Sequence, residues 1–568
     1  MNKKILLSLA VVAAAGMVTT SCSKKLGALS SEYFTTTPQV LEAIGGKVPV
    51  TINGTFPEKY MKKKAVVSVT PVLRYEGGEA KGETATFQGE KVEGNNQTIS
   101  YKVGGNYTMK NSFNYVPEMA KSELYLTFDA TVGKKEVEIP DVKIADGVIA
   151  TSTLVSETLN GANTGLSSDA FQREIQQAKE ANIMFLINQA EIRAKELKSE
   201  GIQEFTSTMK QIEADSTLEL SNIEISAYAS PDGKEDFNDK LAQKREANTE
   251  KYMQKEMKKN NVDAALDAKY TAEDWEGFQE LVSKSNIQDK DLILRVLSMY
   301  KDPEQREQEI RNLSTVFTTL ADEILPQLRR SRLTLNYKII GKSDAELKQL
   351  SASEPSKLSV EELLYAATLT DDNKEKEAIY TAATKQYPND YRAYNNLAAL
   401  AYEKGDYTAA ANYVAQAAKL NGSDADVKVN QALLALKQGN QSAAQTLLGN
   451  AGNSAAANEA LGNLYLMQGD YQKAVSAFGN AKTNSAALAQ ILTSDYNKAK
   501  STLESIQNKD AYTSYLGAIL AARTNNADAA ISNLKDAISK DSSMAKKAAT
   551  DLEFSKLLGN AAFKALLQ

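Results

Sequence analysis

The stretch YASPDGKEDFNDKLAQKREANTEKYM, Tyr228 to Met253, sets a Ser230-Pro231-Asp232-Gly233 turn at the end of an apolar run. A helix follows with Asn238, Leu241 and Arg245 in register. Pro and Asp favour a tight bend, and a glycine lets the backbone complete it. A fixed cation near a carboxylate in such a bend is either a small-ligand site or the polar surface of an ordinary strand, turn and helix. Lys240, Lys244 and Glu246 on the same helix keep the second reading open. Composition narrows the rest. No histidine occurs in 568 residues, which removes Ser-His-Asp and Cys-His activation, His-ligated zinc and the haem sites that need it. The single Cys22 makes neither an internal disulfide nor a thiolate cluster. No cofactor, no metal and no enzymatic activity are expected.

The elements that position these residues belong to a multidomain chain, because 568 residues exceed what one core organises. Sixty-six basic against 72 acidic residues give a net charge of -6, which argues against nucleic acid as a partner. Lys3 and Lys4 precede an apolar run from Ile5 to Val18, and Thr19, Thr20 and Ser21 lead into Cys22. This layout resembles a lipoprotein signal peptide over residues 1–21, with Thr19 where Leu is usual. The resemblance implies an acylated Cys22 as mature N-terminus and a membrane partner through the lipid anchor. Ser23 stands where an inner-membrane retention Asp would, and no acidic run follows as in surface-exported Bacteroidetes lipoproteins. The expected address is therefore the outer membrane, facing the periplasm.

After an anchor and linker at 22–40, residues 41–158 read as a β-sandwich of about seven strands: VPVTINGTF, AVVSVTPVLRY, TISYKV, ELYLTFDATV and VEIPDVKI separated by Gly-rich turns. Its acids, such as Glu76, Glu79 and Glu90, sit among Gly and Lys in hairpin loops and suggest no catalytic pair. The stretch looks like N-terminal domains of Bacteroidetes lipoproteins, which brings no activity with it. SETLNGANTGLSSD then reads as a linker.

Residues 170–342 read as an α+β domain in the order β-α-β-α-insert-β, with a first strand in ANIMFLINQAEI and a helical insert over Lys255–Leu320. Trp275 in the insert, at helical spacing from Phe278 and Leu281, reads as a core anchor rather than a sugar-stacking platform. The element order, with Asn238, Leu241, Ala242, Arg245 and Ala247, resembles the OmpA C-terminal-like peptidoglycan-binding domain. That resemblance implies that Arg245 forks onto the diaminopimelate carboxylate while a turn acid takes its ammonium. Gly233 matches the turn glycine, but Ser230 occupies the acid's position and the carboxylate comes two residues later, at Asp232. Ser230, Asp232, Asn238 and Arg245 are the candidate peptidoglycan contacts.

Residues 355–568 have another rhythm. YNNLAALAYEKGDYTAAANYVAQAAKL and EALGNLYLMQGDYQKAVSAFGNA align at Gly405-Asp406-Tyr407 and Gly469-Asp470-Tyr471, with Gly439 between them. The turn glycines are 34 and then 30 residues apart, a period that marks a stacked α-solenoid. Leu461-Gly462, Tyr465, Ala474, Phe478 and Ala481 resemble the tetratricopeptide repeat. In such an array the first helices line a groove, where Asn395, Asn396, Asn458 and Asn463 either grip a protein partner's backbone or simply face solvent. Two functions follow. One is a lipoprotein scaffold touching peptidoglycan through the central domain and a protein through the repeats. The other is an assembly or secretion adaptor whose OmpA-like domain no longer binds the wall.

Overall fold

A computed structural model of the chain describes residues 26–287, 290–312 and 314–568. Residues 1–21, expected as a signal peptide, and Cys22 lie outside the described residues. Of the described residues, 26–168 together with Tyr380–Gln568 form one compact unit, and Asp169–Ile379 form a second.

The first unit opens β-rich. Strands Phe34–Thr37, Lys47–Phe56 and Gly105–Asn114 make one antiparallel sheet. Seven further strands make a second sheet around Ala65–Tyr75 and Ser122–Val132, which pair antiparallel along their whole length, while Ala85–Gly89 and Gln97–Ile99 pair parallel. Strand periodicity explains the burial: Val48, Val50, Ile52 and Phe56 alternate inward on one strand and Val67, Val69 and Leu73 on the other, and both sheets share one core. Phe56, Phe87 and Tyr107 meet there at ring separations of 4.4 to 5.3 Å. The ten strands exceed the expected seven. The additional pieces, such as Gly78–Lys81 and Lys135–Glu138, are four-residue edge strands, too short and too exposed to show an alternating apolar pattern.

The other part of this unit is helical. Pairs of helices run from Tyr391–Glu403 with Tyr407–Asn421 to Ala511–Arg523 with Ala527–Lys540. Each pair turns on a left-handed residue: Gly405, Gly439, Gly469, Ser494 and Asn525, with φ from 56° to 83°. Only glycine adopts this conformation without strain, and Asn tolerates it. The next residue caps the second helix, as Asp406, Asn440, Asp495 and Asn526 do by accepting the N–H three residues on. The last two turns lack glycine, which is why the flanking repeats are faint in the sequence. Ala410, Ala444 and Ala474 are buried where paired helices approach.

The second unit is a four-stranded sheet in the order Glu174–Met184, Arg330–Ile340, Leu218–Tyr228, Ala265–Thr271. Its first three strands pair antiparallel, and the last is parallel to its neighbour. Helices Glu200–Ala214 and Glu235–Lys259 bury Ile202, Phe205, Met209, Met253 and Met257 against Ile183, Ile223, Ile225, Leu333 and Leu335. Two expectations are corrected here. The first strand begins at Glu174 and ends by Met184, so LINQAEI is loop. Ala265–Thr271, inside the segment assigned to a helical insert, is an edge strand; its Asp267, Lys269 and Tyr270 face outward enough to hide the β signal. The helices of the insert begin at Trp275 and run to Leu328. They enclose a small core of their own with Phe278, Val282, Leu297, Leu320 and Leu328, and Trp275 meets Phe278 edge-on at 5.7 Å.

Candidate functional site

The turn after Leu218–Tyr228 joins Ser230, Asp232 and Asn238 in one polar cluster, whereas Arg245 makes its hydrogen bonds to other groups, and all four are satisfied internally. Ser230 Oγ donates to Asp232 Oδ1 at 2.5 Å, and Arg329 Nη2 donates to Asp232 Oδ2 at 3.0 Å. Asn238 Nδ2 shares its hydrogens among Ser230 O, Gly233 O and Glu273 Oε1 at 3.1 to 3.2 Å. Arg245 is 0% exposed. Its Nη1, Nε and Nη2 donate to the carbonyls of Tyr228 (2.7 Å), Gln189 (2.9 Å) and Leu186 (3.2 Å), and its guanidinium lies 5.0 Å from the Phe185 ring. Burial, helped by the nearby Arg329 charge, lowers its pKa to about 10. Hydrogen bonds to a charged group are worth about 1.5–3 kcal/mol each, so Arg245 would sacrifice several kcal/mol to turn toward an outside carboxylate.

Helices of the insert also cover the bend. Pro231 lies with Trp275, Phe278, Ile310, Leu320 and Leu325 around a void of about 10 Å³, and Arg311 donates to Asp232 O at 3.0 Å. Arg245 is therefore a brace between the sheet, the Phe185–Ala190 loop and its own helix, not an open cation. Arg329 and Glu273, which complete the polar cluster, carry no local signal, since they come from elements about 100 and 40 residues away in sequence.

The repeat array places a different set of polar side chains around an extended backbone. The linker expected over residues 156–169 is not free: together with the preceding residues 151–155 it opens in short turns up to Gly161, and Leu154, Val155, Leu159 and the following Ala162 are buried in the cores of the repeats. Tyr402 Oη donates to Leu159 O at 2.8 Å, and Tyr407 Oη and Lys437 Nζ both donate to Asn160 Oδ1. Beyond Ala162 the chain runs through the groove in a two-residue rhythm. Asn163 Nδ2 donates to both carboxylate oxygens of Glu459, at 2.8 and 3.0 Å. Gly165 donates its N–H to Asn430 Oδ1 and accepts from Asn430 Nδ2, both at 2.8 Å. Ser167 does the same with Asn396, at 2.8 and 3.0 Å. Asn395 reaches across to Gly165 O and Ser167 Oγ.

Each asparagine amide thus completes a strand-like two-point pair with one residue of backbone. Asn396 and Asn430 are 34 residues apart, the same position in successive repeats, so repeat geometry sets the spacing of the grips. Gly165 is needed for the approach: a Cβ there would lie 2.6 Å from Asp426 O and 2.7 Å from its Cα. Of the expected partner-binding residues, Asn395 and Asn396 do bind backbone, though this chain's own. Asn463 does not: it is 1% exposed and donates to Glu459 O of its own helix. Asn458 sits half-buried in the first turn of Ala455–Gln468. Asn430, outside the expected set, makes the most complete grip, and its 34-residue offset from Asn396 is the signal in the sequence that marks it. Burial raises the Glu459 carboxyl above its usual range, opposed by Asn163, and lowers Lys437.

Helix pairs with this turn chemistry and a groove that holds an extended backbone define a protein-binding repeat array. The family model of the tetratricopeptide repeat matches residues 377–426, 400–444 and 429–487, and the chain carries these repeats. No curated protein matches the chain. Among solved structures, a tetratricopeptide repeat protein from Parabacteroides merdae is similar over 46% of this chain and 96% of its own, at 16% identity and a TM-score of 0.28. PilW, a type IV pilus biogenesis factor, is similar over 40% and 98%, at 14% identity and 0.26. Yeast Tom70 covers 58% and 78%, at 12% identity and 0.25.

Proposed function

We propose that this protein is a non-enzymatic adaptor, held at the outer membrane by a lipid on Cys22 and facing the periplasm. In this reading its repeats bind protein segments, while its central domain, OmpA-like in element order, serves as structure. The N-terminal sheets pack as a sandwich that the repeats carry. The observation that supports the reading best is the groove itself, where amide side chains at repeat-spaced positions hold an extended main chain. The enclosed Arg245 argues against peptidoglycan as a second partner, because a bound zwitterion needs an accessible fork for its carboxylate.

The test has two arms. Full-length protein is mixed with diaminopimelate-type peptidoglycan sacculi and sedimented; no retention is expected. Retention that Asp232→Asn abolishes would restore wall contact as the central domain's role. Mass spectrometry of the mature N-terminus is expected to find an acylated Cys22, with Cys22→Ala released from membranes; an unmodified cysteine there would remove the anchor from the proposal.

A further inference from the structure

The groove offers few ways in for an outside partner, because its grips are already engaged by residues 163–167. We propose that residues 163–168 are a self-ligand that closes the repeat groove, and that an outside peptide enters only by displacing them. The inference rests on the adaptor reading and names both its regulation and the chemistry of the incoming segment. That segment is an extended chain with glycine at the centre, a small hydroxylated residue two positions after it and an amide side chain two positions before it.

The alternation of the bound stretch carries this. Gly165 and Ser167 are buried, whereas Leu166 is 55% exposed. The intervening side chains point away from the grips, so the groove is indifferent to them. The contacts at 165 and 167 go to main-chain N–H and C=O, which any extended peptide supplies. Selectivity comes from the missing Cβ at 165 and from Asn395 reading the Ser167 hydroxyl. The stretch 163–168 is also separable from the part that locks it in place. Leu154, Val155 and Leu159 carry the apolar contacts, so the polar end can leave while they stay buried. A tethered segment competes at an effective concentration on the order of mM, so a free peptide with the same contacts binds poorly until the polar end is weakened.

The probe is a labelled, end-capped peptide of residues 161–168, GANTGLSS, titrated by fluorescence anisotropy against full-length protein. Wild type is expected to bind at least about tenfold more weakly than Gly165→Val, whose own segment no longer fits. Adding Asn430→Ala to Gly165→Val should abolish the gain, as should the peptide GANTVLSS. Equal binding to wild type and Gly165→Val, or no binding to a Gly165→Val protein with native circular dichroism, overturns the proposal. Should Gly165→Val not fold, Ser167→Pro, which deletes the N–H given to Asn396, takes its place in the same titration. Unprotected exchange of the Gly165 and Ser167 amides in wild type would overturn it as well. Failure to find a protein partner in the periplasm would sink the adaptor reading and leave these outcomes unchanged.

Discussion

Truncating Asn430 to alanine separates a built grip from a solvated helix face. Asn430 Oδ1 is the acceptor for Gly165 N–H, and Asn430 Nδ2 donates to Gly165 O and to Asn395 Oδ1, at 2.8, 2.8 and 2.9 Å. After Asn430→Ala, Gly165 O keeps the donor on Asn395, but Gly165 N–H loses its acceptor and Asn395 Oδ1 its donor. Asn395 and Asn430 are 0% and 4% exposed, so water does not readily replace the lost partners. A buried polar group left unpaired costs about 1–3 kcal/mol, which puts the two together at about 2–6 kcal/mol. A polar residue on an open helix surface changes stability by about 0.5 kcal/mol or less. The two readings are thus well resolved by urea titration, followed by hydrogen exchange in helix Ala425–Lys437 so that the transition of the repeats is the one measured. A loss below about 0.5 kcal/mol, with Gly165 exchanging at the same rate in both proteins, would refute the self-occupied groove.

Two further substitutions test the same physics elsewhere. Arg245→Met keeps the volume but strands the carbonyls of Tyr228, Gln189 and Leu186; a loss of about 3–5 kcal/mol is expected, as for breaking a buried charged network, measured by urea unfolding followed through exchange in Leu218–Tyr228. A stability unchanged by that substitution would mean that Arg245 braces nothing. Glu459 holds its proton more tightly folded than unfolded, because burial raises its carboxyl. Its contribution is therefore complete below the ordinary glutamate value and declines as pH rises through the raised folded value. Urea midpoints from pH 4 to 7 should fall more steeply for wild type than for Glu459→Gln, and parallel profiles would refute the assignment.

What the chain's own pattern determined is its local architecture. Left-handed turn residues followed by Asp or Asn caps announce the helix pairs, alternating β-branched runs announce the sheets, and Tyr228–Met253 announces its strand, turn and helix. These signals are legible because they depend on backbone preferences within a few residues and on one-face periodicity. Tertiary structure decided which side chains remained available. Arg245 is spent on carbonyls 17 to 59 residues away, and Asn396 and Asn430 on backbone 229 and 265 residues away. The edge strand Ala265–Thr271 and the insert over the Ser230–Gly233 bend were settled in the same way, by long-range packing. An arginine or an asparagine has the same local preferences whether its donors face a ligand, water or its own chain. Only closure of the distant loop shows which acceptor it meets, and that closure is a property of the whole fold.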